Sequence, residues 1–107
     1  FFFITINCSF RELEKDGAGR ILGKQVLRSG TSIGANAHEA QGAQSKADFI
    51  AKMSIAYKEA IETAYWLRLI KESKLVVPDR LQDLSYETEQ LLKILSSILL
   101  TSKKGKR

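Results

Sequence analysis

One cysteine, one histidine and one proline in 107 residues remove most catalytic and structural devices before any pattern is read. Cys8 has no intrachain disulfide partner, and without a CxxC or a Cys/His cluster no zinc site is encoded; a reducing, cytoplasmic setting is expected. His38-Glu39 begins like HExxH, but position 42 is Gly42, and Ala35 stands where a Glu-x-x-His iron site needs its glutamate. Any nucleophile and base pair would have to join a serine to a lysine or a carboxylate, and no spacing singles one out. No metal, no cofactor and no enzymatic activity are therefore expected. Glu59 and Glu62 read as solvent-facing charges.

Proline scarcity points the same way for the fold. An all-β chain of this length needs frequent turn punctuation, whereas Pro78 stands alone. No apolar run is long enough to span a bilayer, so no membrane contact is expected. The opening FFFITINCSF has no basic stretch before it and no small-residue cleavage site after it, so it does not read as a signal peptide.

Net charge is also scarce outside one place. Of the 17 basic residues, Lys103, Lys104, Lys106 and Arg107 close the chain, leaving 13 bases against 12 acids in residues 1–102. A basic run of this kind either neutralises phosphates with release of counterions or simply complements a helix C-terminus.

What is present is helical periodicity in a single domain over residues 1–107. Leu22, Val26, Gly30, Ile33, Ala37 and Ala40 recur at three or four residues. Ser45 and Asp48 form a capping-box-like start for the next helix. Its stripe is Phe49, Met53, Ala56, Ala60, Ala64, Leu67 and Ile70, ending near Ser73. The residue before Pro78 is pushed out of helical geometry and proline suits a first turn, so the last helix starts near Pro78. Leu81, Leu84, Leu91, Leu95 and Ile98 mark its buried face, widened by Leu92 and Leu99. Residues 1–18 read as an irregular or short first helix, with Gly17 or Gly19 as a left-handed stop.

The stretch LRSGTSIGANAHEAQGAQS, Leu27 to Ser45, invites a phosphate-loop reading, but Gly30 and Gly34 are only four apart and Ala35 occupies the lysine position. A helix interior explains it better. Gly30, Gly34, Ala37 and Ala40, with Ile33 among them, form a small-residue face, and each interior glycine costs about 1 kcal/mol relative to Ala. Close packing against a second helix is expected to offset that cost. Arg20, Lys24 and Arg28, at intervals of four, form a cationic stripe on the same helix. Tyr65 and Trp66 point about 100° apart, so one of them is expected at a subunit boundary or at the surface.

The run LRSGTSIGANAHEAQGAQSKADFIAKMSIAYKEAIETAYWLRLIKES resembles the bacterial 23S rRNA intervening sequence protein family. The small-residue helix, EAQ, SKADFI and YWL stand in the family's order from about Gln25 to Ser73, with a weaker continuation in LLKILSSILLTSKK. The resemblance implies an all-α, up-and-down antiparallel four-helix bundle that assembles into a homopentamer. A related branch, the accessory proteins of diversity-generating retroelements, forms basic pentameric barrels that bind nucleic acid and a reverse transcriptase. The first twenty residues depart from the family's long amphipathic first helix.

Two functions are expected from this reading. The first is non-enzymatic binding of an RNA or DNA backbone through Arg20, Lys24, Arg28, Lys103, Lys104, Lys106 and Arg107. The alternative is a protein-interaction scaffold using Tyr65 and Trp66.

Overall fold

In a computed structural model, residues 17–73 and 78–104 are described. They form three helices, α1 (Gly17–Gln41), α2 (Lys46–Ser73) and α3 (Pro78–Lys104), with no strand among the described residues. The expected first helix and the residues Lys106 and Arg107 lie outside them. Gly17 and Gly19 do not stop a preceding helix. Gly17 opens α1 and Gly19 is buried within it, because helical periodicity already runs through Leu22 and Val26.

The α1–α2 connection follows from its polar letters. The Ser45 hydroxyl accepts from the Asp48 backbone N–H at 3.0 Å, and Asp48 Oδ2 accepts from the Gln44 N–H at 3.3 Å. Two N–H groups that the start of α2 leaves without intrahelical partners or just precede it are thereby satisfied, and Asp48 adds a favourable charge to the first turn. At the close of α1, Gly42 and Ala43 donate to the carbonyls of Glu39 and Ala40.

Two clusters fill the core. Val26 meets Leu67, Ile70, Leu81 and Leu84 at one end, while Ile33 and Ala40 meet Met53, Ala56, Ala60, Leu95 and Leu99 at the other. Numbers rising along α1 thus pair with numbers falling along α2 and rising again along α3, which makes successive helices antiparallel. The backbone of α2 packs against both neighbours, and α1 and α3 make no close backbone contact with each other. Ala56 and Ala60, on successive turns of α2, are fully buried. Their small side chains let neighbouring backbones approach and leave room for larger residues opposite them.

Among the described residues, the small-residue face of α1 is only partly covered. Gly30, Ile33 and Ala40 are buried and Ala37 is half-buried. Gly34 is exposed, and a Cβ built on it would meet nothing within 4 Å. The packing expected of Gly34 is therefore not made by any of the described residues. Four residues advance a helix by 400°, so each such step rotates a side chain about 40° around the axis. Gly34 lies beyond the edge of the buried face on which Gly30 still sits.

Candidate functional site

Three surfaces hold the residues singled out by the sequence. The first is the α1–α2 seam. There Arg28 donates from Nη1 to Glu59 Oε1 at 3.4 Å, from Nη2 to Glu62 Oε2, and from Nε to Gln25 Oε1 at 3.2 Å. Glu62 Oε2 also accepts from the Trp66 indole N–H at 3.0 Å. Glu59 and Glu62 are thus not free solvent-facing charges, since both carboxylates are held by one guanidinium across the seam. A fork-shaped guanidinium suits this double contact, which an ammonium group would make less well. The same contacts separate Arg28 from Arg20 and Lys24. Across eight residues the stripe turns about 80° around α1, enough to bring Arg28 to the side facing α2.

Beneath this ion pair lies a buried hydroxyl pair absent from the sequence reading. Ser29 Oγ and Thr63 Oγ1 are 2.8 Å apart and both residues are fully buried. Nearer the α1–α2 turn, Lys52 Nζ donates to Glu39 Oε1 at 3.0 Å, a contact that raises the lysine pKa above its ordinary value.

The second surface is cationic. Arg20 and Lys24 are exposed near the start of α1, and Lys103 and Lys104 are exposed in the last turn of α3. None of the four has an acidic partner among the described residues. The antiparallel order puts the two groups at opposite ends of a molecule 51 Å long, so they form two sites and not one patch.

A third surface, the outer groove between α2 and α3, was not legible as a site. Its wider hollow, about 490 Å³, is lined by Ile61, Tyr65 and Arg68 of α2 with Ser85, Thr88 and Glu89 of α3. A second, about 440 Å³, continues from Glu89 along Leu92, Lys93 and Ser96 to Leu100, with Tyr57 opposite. Tyr65 and Trp66 are split between two of these surfaces, as their 100° separation requires. Trp66 is half-buried against the Val26 cluster, and Tyr65 is 53% exposed in the groove. Their rings still touch edge to face, with centroids 5.1 Å apart.

Among the described residues no three His, Cys, Asp or Glu side chains come together as a metal site, and no helix is long and apolar enough to cross a membrane.

The chain is similar to known proteins at the level of both sequence and fold. A crystal structure of a protein of unknown function from the S23 ribosomal protein family, from Bacteroides thetaiotaomicron VPI-5482, is 41% identical, with a TM-score of 0.85 over 92% of this chain and 91% of that one. No curated protein matches. Residues 3–97 match the family described as 23S rRNA-intervening sequence protein, a match that takes in nearly all of the described helices. By that match and by the 41% identity with a structure of the same architecture, the chain belongs to the 23S rRNA-intervening sequence protein family.

Proposed function

We propose that this chain is a non-enzymatic helical scaffold that assembles with itself and holds nucleic acid by its phosphate backbone. The observation that carries the reading is the contrast among cations. Arg28 is neutralised by two carboxylates, whereas Arg20, Lys24, Lys103 and Lys104 are exposed without an acidic partner among the described residues. Cations left in water at both ends of a rod release counterions when they meet phosphates. Lys106 and Arg107 extend the second group in sequence. The family's description and the S23 name of the similar protein make a structured RNA the first ligand to try. Self-assembly, pentameric by resemblance, would repeat each cationic end and add weak contacts by avidity.

The test is fluorescence anisotropy of a labelled structured RNA against the full chain, a chain ending at Ser102, and Arg20→Glu/Lys24→Glu, at several salt concentrations. Affinity should fall steeply with salt and drop with either change. Absence of binding at low salt, with the chain folded, would remove the reading.

A second reading, a protein-interaction scaffold, is favoured by a separate observation. In the α2–α3 groove, Ile61 beside Tyr65 is 49% exposed and Leu100, toward the other end, is 59% exposed. Contacts of that apolar kind would be much less sensitive to salt.

A further inference from the structure

We propose that the α2–α3 groove is the docking site for an acidic, amphipathic helix of a partner protein. The inference deepens the protein-interaction reading and is independent of nucleic-acid binding.

Length and shape come first. The two hollows share Glu89 and run from Ser85 to Leu100 along α3. Fifteen residues at 1.5 Å each make a stretch of about 22 Å, deeper toward Ser85 and shallow toward Leu100, the length of a four-turn helix. Two antiparallel helices present a trough into which a third helix lays an apolar stripe at i, i+3, i+4 and i+7. The groove supplies apolar contacts along that whole length, with Tyr65 and Ile61 toward one end and Leu92 and Leu100 toward the other. Tyrosine is well suited to such a place, because it adds large contact area at small entropic cost.

Charge then selects the partner. Lys71 lines one end of the groove and Lys93 its middle, Arg68 beside Lys71 stands 3.7 Å from Glu72, and Glu89 is the single carboxylate lining the groove among the described residues. The rim thus holds two lysines without an acidic partner among the described residues and one carboxylate, beside an apolar floor, so the complementary helix carries Asp and Glu beside its apolar stripe, with a neutral or basic residue opposite Glu89. Nucleic acid would meet the rim but has no apolar side chains to bury on the floor. A second copy of the chain fits less well. Among the described residues outside the groove, the exposed large apolar ones are Ile21, Ile55, Tyr86 and Ile94, and no two of them lie on adjacent turns of one helix.

The experiment uses the full chain and two fluorescent 15-residue peptides with the same leucine stripe, one flanked by Glu and one by Lys. The acidic peptide is expected to bind at least about tenfold more tightly at low salt. Ile61→Asp, at a half-exposed position, should weaken it about tenfold or more while circular dichroism stays unchanged. Lys93→Glu should lower affinity for the acidic peptide and raise it for the basic one, a swap that misfolding does not produce. The proposal is overturned by equal binding of the two peptides, by no binding of either, or by acidic-peptide binding indifferent to both substitutions. It is also overturned if Ile61→Asp breaks a self-associated form of the chain into smaller species, since the groove would then be a seam between copies.

Discussion

Ser29 Oγ and Thr63 Oγ1 meet at 2.8 Å inside the α1–α2 interface, and the direction of their hydrogen bond is fixed by a third group. Thr63 Oγ1 is also 2.8 Å from the Glu59 carbonyl, which can only accept. The threonine proton therefore goes to that carbonyl, and Ser29 donates to Thr63. The other acceptor near Ser29 is the Val26 carbonyl at 3.5 Å, a weak alternative.

This direction makes the two truncations unequal. Ser29→Ala removes a donor and leaves Thr63 bonded to Glu59, at a cost of about 1 kcal/mol. Thr63→Val keeps the shape but strands a buried serine hydroxyl, at about 1–3 kcal/mol. Adding Ser29→Ala to Thr63→Val should then cost little more. Urea unfolding of the three variants at one protein concentration measures the cycle. A Thr63→Val no worse than Ser29→Ala would show that the assigned direction is wrong.

Arg28 separates structural cations from those proposed to contact phosphate. Arg28→Ala should lower stability by no more than about 1 kcal/mol, because its carboxylate contacts are partly exposed. It should alter Trp66 emission through the shared Glu62 contact, and change RNA affinity less than Lys24→Ala does. Equal losses of RNA affinity in the two variants would place Arg28 among the phosphate contacts.

Glu87 gives a pH dependence of unusual sign. Burial raises its pKa, with Asp83 one turn earlier adding in the same direction, and its Oε1 is buried without a hydrogen-bond partner among the described residues. A carboxyl whose pKa is higher folded than unfolded is more favourable to the fold when protonated. Its contribution is therefore present below the ordinary glutamate range and is lost as pH rises from that range through the raised value. Glu87→Gln, which imitates the protonated group, should match the wild type in acid and exceed it in stability at neutral pH. Equal pH profiles for the two proteins would mean that Glu87 is solvated in the folded chain.

The helices were legible because apolar residues repeat at their period, and both capping and proline chemistry marked where α2 and α3 begin. The buried hydroxyls were not. Ser29, Thr63 and Thr88 interrupt the hydropathy pattern, and a hydroxyl bonded to a carbonyl on its own helix, as Thr88 is to Leu84, looks polar in sequence while behaving as core. In sequence Arg28 groups with Arg20 and Lys24 because equal spacing looks like alignment, whereas 40° of drift per step carries the third residue toward α2. The cross-helix partners Glu59 and Glu62 lie more than thirty residues away from Arg28, a separation that periodicity within one helix does not encode. The α2–α3 groove needs two helices at once and so has no signature in either stripe alone.

Gly34 tests whether the unused part of the small-residue face has an occupant. It lies in the interior of α1 and a Cβ there meets none of the described residues within 4 Å, so Gly34→Ala adds a methyl group without a clash among them. Alanine also reduces the conformational freedom of the unfolded chain, and the expected gain is about 0.5–1 kcal/mol. For a domain of this size that corresponds to a rise in Tm of a few degrees, on the order of 2–8 °C. Thermal unfolding should be followed at low and high protein concentration. A gain at both concentrations means that this face stays open even when chains associate. A gain only when dilute, turning to a loss when concentrated, means that a second backbone approaches Gly34 more closely than a methyl group allows, and the small side chain is then retained for assembly.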